Sequence, residues 1–538
     1  MKKLKSKKRL AHVALIVAAS LLSSVSAAVS KTAISGKASV GAKSSKVDTL
    51  SVGDRQLQSA IETAEAMAQK AVDAKTVVGM AIAVVKSDKV VYAKGFGLRE
   101  AGGDAKVDAD TVFQLASVSK PISSTVVAGL VGDGKINWDS KISDLDPGFE
   151  LSEPWVTREI TLRDFYAHRS GWPEHAGDLL EDLGYNREQV LHRMRYQTPE
   201  SSFRSHYAYT NFGITEGAVA ATKAYDTTWE SASEERLYKP LKMNSTSSRY
   251  SDFMGRSNKA LGHVMVAGNW THGEQRQPDA QSPAGGVSSS VNDLAQWIRL
   301  QMGKGKVDGV QIIDAAALAE THKPHMLTTY SPLSGLPCFY GLGMNVNYDE
   351  KSRLRLGHSG AFAMGAGTNV SMAPDQQIGI VVLTNCYPIG FAEAVGSTFM
   401  DVALDGKSSR DWVELYRKIF ADPSTLGLNP DSTDYSKPPA NSVAASSSDV
   451  YVGTYTNEFF GNVSVGTRDG ALVLGLGPNK VEKVLRHYNR DVFSYETFGE
   501  NASGLSAVTF TVGAEGKANA VEIEALNIHG QGTFTRKK

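Results

Sequence analysis

Two pairs of strand-like runs, one at each end of a long helical stretch, constrain this chain more than any other feature. Residues 77–85 and 89–93 are rich in valine and flank Ser87-Asp88, which predicts a hairpin. Residues 366–372 and 378–383 are also apolar and are split by the turn sequence Ala373-Pro374-Asp375-Gln376. Between the pairs, from about 115 to 330, helical patterns alternate with Gly, Pro and Asn breaks. Strands at both ends with helices between them predict one sheet assembled from distant parts of the chain. That is an α+β domain with an inserted helical lobe. Further helical patterns cover 57–72 and 411–420. Residues 422–449, crowded with Pro, Ser, Asp and Asn, read as a linker. Short alternating runs follow at 450–455, 463–465, 471–474, 492–495, 507–512 and 521–523, and predict a small antiparallel β-barrel over 450–538.

The N-terminus argues about compartment. Lys2, Lys3, Lys5, Lys7, Lys8 and Arg9 precede an apolar stretch, 10–22, that ends in small residues around Ser26-Ala27-Ala28. This is the layout of a secretory signal peptide, residues 1–27, and the apolar run is short for a spanning helix. A Ser/Ala/Lys/Gly-rich leader over 28–55 precedes the catalytic candidate, residues 56–421. The expected location is periplasmic or secreted, with no stable membrane anchor after cleavage. Cutting at Ala27 removes six of 57 basic residues and none of 57 acidic ones, leaving a formal charge of −6. A mildly acidic exported chain is a poor partner for nucleic acid. The two cysteines, Cys338 and Cys386, permit one disulfide or two buried thiols.

Ser117-Val118-Ser119-Lys120 carries the chemistry. Residues three apart on a helix share a face, so the lysine amine can reach the serine hydroxyl. A serine needs a partner to take its proton, and a lysine does so only as the neutral amine that burial favours. Apolar flanks at 111–116 and 122–131 suit that burial, and Pro121 confines Ser117 to a helix entrance. The spacing alone is common, and a helix start capped by Ser117 is the plainer reading.

Two more motifs accompany it. In Tyr209-Thr210-Asn211 a phenol can relay a proton if a nearby cation lowers its pKa, and the amide can donate to a substrate carbonyl. In His358-Ser359-Gly360, expected to begin or end a strand, glycine lets a substrate approach the sheet edge, and the histidine offers a positive or hydrogen-bonding group. An elbow with Ser359 as nucleophile competes, but strand-like residues follow it where a helix is required. His168 and His175 lack metal-ligand spacing, and neither a phosphate loop nor a dinucleotide fingerprint is present, so no metal or cofactor is expected.

In this order the motifs resemble the penicillin-recognising serine hydrolases, especially the relatives of class C β-lactamases: DD-peptidases, D-aminopeptidases, esterases and CubicO-type peptidases. The resemblance spans about 55–405 and includes residues 162–171 and 283–294. It implies a β-lactamase/transpeptidase-like antiparallel sheet flanked by helices, and a lipocalin-like C-terminal barrel. It implies Ser117 as nucleophile, Lys120 as its proton acceptor or electrostatic partner, and Tyr209 as general base. Asn211, His358, Ser359 and Gly360 would bind substrate, and the backbone N–H groups of Ser117 and Ala361 would form the oxyanion hole. Class C β-lactamases carry lysine where His358 stands, so the histidine favours small peptides, including linear and D-residue-containing ones, as substrates. A carboxylesterase or weak β-lactamase on the same site, and a non-catalytic peptide or cell-wall binder, are the alternatives. Assembly of identical chains is compatible with either.

Overall fold

The computed structural model describes residues 52–421 and 433–538. The segment read as a signal peptide, most of the one read as a leader and part of the one read as a linker lie outside the described residues. Helix α1, Asp54–Asp73, begins two residues inside the segment read as leader. Its buried positions Leu57, Ala60, Ile61, Ala64, Ala68 and Ala71 follow the helical repeat and form one apolar stripe.

Strands β1 (Gly79–Lys86) and β2 (Lys89–Gly97) form the expected hairpin, with Ser87 at φ 54° in its turn. Two helices follow that matter later, α2 (Ser119–Gly132) and α3 (Asn211–Lys223), and then α4 (Val291–Met302). The chain returns to the sheet through β3 (Met326–Tyr330), β4 (Pro337–Tyr340), β5 (Asn345–Tyr348), β6 (Leu354–Phe362), β7 (Ala366–Ala373) and β8 (Ile378–Thr384). All pairings are antiparallel, in the order β2-β1-β8-β7-β6-β5-β4-β3. Ala83 of β1 faces Val381 of β8, so the two ends of the region do share one sheet.

Alternation along β1 sorts its side chains into two cores. Ala81, Ala83 and Val85 join Val126, Trp297 and Ile298 on the lobe side. Met80, Ile82 and Val84 join Ile61 and Phe399 beneath α1 and α5 (Phe391–Asp405). A period of two between two apolar layers fixes the register, because a one-residue slip would exchange the faces. Helix α6, Trp412–Ala421, packs outside α5. Cys338 and Cys386 are both buried, and no disulfide joins them. Among the described residues no helix is long and apolar enough to cross a membrane.

The C-terminal region is a nearly closed antiparallel barrel of nine strands, β9 to β17. They are Gly453–Asn457, Gly461–Arg468, Ala471–Leu476, Val481–Val484, Arg486–Asn489, Val492–Glu496, Leu505–Val512, Ala518–Ile523 and Thr533–Arg536. Three of these have no counterpart in the sequence reading. The fourth and fifth are short and largely solvent-facing, and the ninth is a final polar strand. That last strand pairs with both the first and the eighth, which joins the two halves of the sheet. The barrel rests on the helical lobe, where the Tyr185 hydroxyl donates to the Phe460 carbonyl at 2.9 Å.

Candidate active site

Ser117 lies in a single 3-10 turn, Ala116–Val118, that runs into α2. Ala116 sits at φ 47°, a left-handed conformation that is strained for any residue with a Cβ. The surroundings hold it there. Leu115 donates to the Val287 carbonyl at 2.9 Å, and its own carbonyl accepts from Thr368 Oγ1 at 2.7 Å. Strain imposed beside a reacting group is a common property of functional sites. Pro121 falls in the first turn of α2, where its missing N–H leaves no helical bond unmade.

Lys120 is fully buried. Its Nζ donates to Ser117 Oγ at 3.0 Å, Asn211 Oδ1 at 2.7 Å and the Ala284 carbonyl at 3.0 Å. Burial takes its pKa down to about 7, against the opposing pull of Asp178. A substantial neutral fraction at neutral pH is therefore built into the site.

Tyr209 donates its hydroxyl to Ser117 Oγ at 2.6 Å. The sequence reading required a cation to lower this phenol. Lys120 does stand 4.4 Å from the ring centroid, yet burial dominates and drives the pKa upward. Tyr209 thus holds its proton, and the amine beside it is the group able to take one.

Asn211 opens α3. Its Oδ1 faces Lys120 and its Nδ2 donates to Asp178 Oδ2 at 2.7 Å. His175 shares Asp178 Oδ2 at 2.8 Å.

His358, Ser359 and Gly360 lie in the middle of β6, not at its end, which also removes the elbow reading of Ser359. His358 Nδ1 donates to the Ser359 carbonyl at 2.6 Å, and Nε2 accepts from the Tyr340 hydroxyl at 3.0 Å. Burial, with Lys120 adding to it, pushes the imidazole down to about 3, so it is a neutral hydrogen-bonding group and not a positive one. Ser359 accepts from Asn369 at 3.2 Å and bonds the buried carboxyl of Glu393, whose pKa burial raises to about 7.

Gly360 has no room for a side chain. A Cβ there would stand 2.2 Å from the Leu115 carbonyl, 2.4 Å from Thr368 Oγ1 and 2.9 Å from the Ser117 N–H nitrogen. We expect Gly360→Ala to lower stability by about 1–3 kcal/mol through overpacking. We also expect it to slow acylation of Ser117 at least about a hundredfold by displacing the turn. Thermal melts beside fluorophosphonate labelling rates separate the two effects.

Of these residues, Ser117, Tyr209, Asn211, His358, Ser359 and Gly360 line one cleft. Ser117, Tyr209, His358 and Ala361 face it, and so do groups the motifs did not reveal. Arg276, buried in the wall, bonds Glu181 at 2.7 Å, with Asp182 at 3.7 Å and Glu500 at 3.9 Å. Glu500 and its neighbour Asn501 belong to the barrel, yet both line the cleft. The Glu500 carboxylate accepts from the N–H groups of Ala363 at 2.5 Å and Met364 at 3.3 Å, just after the strand edge. The sequence reading met His175 only as a residue without metal-ligand spacing, and nothing there marked Asp178, Arg276, Glu393 or Glu500. Among the described residues no group of three or more His, Cys, Asp or Glu is placed to hold a metal ion.

A hydroxyl held between a buried amine and a phenol, on a turn that a glycine lets pack closely against the neighbouring strand, is the site of a serine hydrolase. The chain belongs to the β-lactamase family, whose model matches residues 64–404. A second model, a domain of unknown function (DUF3471), matches 437–535. The chain is 24% identical over 399 residues to "Unguisins hydrolase ungD'" of Aspergillus campestris, covering 71% of this chain and 72% of that one. It is 26% identical over 324 residues to "Penicillin-binding protein 4" of Amycolatopsis lactamdurans, covering 57% and 80%. The octameric penicillin-binding protein homologue from Pyrococcus abyssi has the same fold. It superposes with a TM-score of 0.58 at 18% identity, over 86% of this chain and 98% of that one.

Proposed function

We propose that the protein is an exported serine hydrolase that cleaves amide bonds of small peptides through an acyl-enzyme on Ser117. The observation that carries this is the placement of Ser117 Oγ, 3.0 Å from Lys120 Nζ and 2.6 Å from Tyr209 Oη. Lys120 takes the serine proton as Oγ attacks the carbonyl. The N–H groups of Ser117 and Ala361 receive the developing oxyanion. An amine departs only when given a proton; Tyr209, which burial keeps protonated, donates it and is reprotonated by the proton that Lys120 took from Ser117, so both groups regain their starting forms. Water then repeats the sequence on the ester.

This proton supply supports amides over esters. The neutral His358 supports peptides over β-lactams, whose carboxylate calls for a cation at that edge. The relative named as a hydrolase of unguisins fits hydrolysis, and the octameric homologue fits assembly of identical chains. We read the barrel as lipocalin-like and as a wall of the substrate cleft.

A panel of penicillin, a nitrophenyl ester and D- and L-peptides, followed by mass spectrometry of Ser117, tests the proposal. Peptide turnover with a transient acyl adduct on Ser117 is expected. Turnover of the ester alone would move the assignment to an esterase. Absence of any adduct, including with a fluorophosphonate, would leave a binding protein.

A further inference from the structure

We propose that Asp178 is a positioning residue for the acyl-transfer reaction, fixing the Asn211 amide and supplying the negative charge that Lys120 faces. This rests on the serine hydrolase reading above.

An amide side chain has an accepting end and a donating end, and only their partners decide which way it points. Asn211 meets the Lys120 amine with Oδ1 and Asp178 with Nδ2. Turning it over would set donor against ammonium and carbonyl against carboxylate. Asp178 thereby locks the orientation that lets Asn211 hold Lys120 against Ser117. Its own carboxylate is 4% exposed. Both donors, Asn211 and His175, converge on Oδ2, and the buried Oδ1 has no hydrogen-bond partner among the described residues.

The segment bearing Asp178 also braces the phenol. His175 takes φ 59°, and its N–H donates to the Tyr209 carbonyl at 2.8 Å. The pair His175 and Asp178 therefore grips both ends of Tyr209-Thr210-Asn211 without bonding Ser117.

Charge is the second contribution. The titratable groups around Lys120 are Asp178 and His175 from this segment, Tyr209 before α3, His168 from the lobe and His358 from β6. Burial keeps His168 and His358 neutral and Tyr209 protonated. Asp178 is the group that opposes burial at Lys120. Without its charge the ammonium form is less favoured, so the amine becomes available at lower pH.

The test is the rate of Ser117 labelling by a fluorophosphonate in the full chain, followed from about pH 5 to 9. Asp178→Asn keeps an acceptor for Asn211 and removes the charge. Its acid limb should move to lower pH by about half a unit or more, with a plateau within about tenfold of wild type. Asp178→Ala removes the clamp as well, and its plateau should fall about tenfold or further. His175, which Asp178 holds above the ordinary imidazole value, repels the Lys120 charge, so His175→Asn should leave the limb in place or move it to higher pH, the opposite direction.

A limb in D178N that superposes on wild type overturns the proposal, as does the same shift appearing in H175N alone. Should D178N fail to fold, D178E retains the charge with a displaced carboxylate, so it must keep the limb while lowering the plateau. A moved limb in D178E overturns the proposal. Failure to label Ser117 in the wild type would instead sink the hydrolase reading itself.

Discussion

Replacement of Ser117 by alanine should leave a folded protein that forms no covalent adduct and whose turnover drops about 10⁴- to 10⁶-fold. The stake of the fold in the hydroxyl is limited to the bonds it accepts from Lys120 and Tyr209. Ser117 holds no place in the surrounding core, and the turn is fixed by the backbone of Leu115 and by Thr368. The loss should therefore appear chiefly in kcat, with a change in stability of no more than about 1–3 kcal/mol from the unpaired donors. Residual turnover above the uncatalysed rate would come from the N–H donors and substrate positioning alone. Wild-type turnover in the S117A variant would show that another nucleophile operates.

Lys120→Met should produce opposite signs in activity and stability. Loss of the amine removes the proton acceptor, worth about 10²- to 10⁴-fold in rate. In the wild type the active form is the neutral amine, so kcat/KM should rise about tenfold per pH unit below the Lys120 pKa of about 7 and level off above it. That limb should vanish in K120M. Stability follows the same group in another window. The folded pKa of about 7 lies below the ordinary 10.5, so between those values the unfolded chain binds more protons. Stability thus rises with pH across that window, and wild type is penalised at and below neutrality. Methionine of similar length carries no charge to desolvate, so K120M should melt higher than wild type at pH 7. Equal melting temperatures at neutral pH would mean that Lys120 is not held as a depressed amine.

Strands β1, β7 and β8 were legible because strands buried on both faces read as continuous apolar runs, whereas β2, mostly exposed, was legible from its valines beside the Ser87-Asp88 turn. The helices at 54–73 and 412–421 were legible for the analogous reason, a helical stripe. The barrel strands at 481–484 and 486–489 were not, since their side chains mostly meet solvent and carry no alternation. In the site, Ser117, Lys120, Tyr209 and His358 stand in short motifs with chemical meaning in themselves. Their charge states were not readable. The sequence places a cation beside a phenol, but burial, which depends on the whole lobe, decides that the phenol keeps its proton and the imidazole stays neutral. Arg276 and Glu500 meet only after the chain has built a second body and laid it against the first.

The loop carrying Glu500 and Asn501 divides the inheritance of this enzyme's properties. The groups proposed to break the bond, Ser117, Lys120 and Tyr209, are encoded in the first half of the chain, while Glu500 and Asn501, on the wall of the same cleft, are encoded near its end. Recombination that exchanged the C-terminal segment would alter substrate choice without touching the acylating groups. Selectivity and chemistry can then drift at separate rates within one polypeptide.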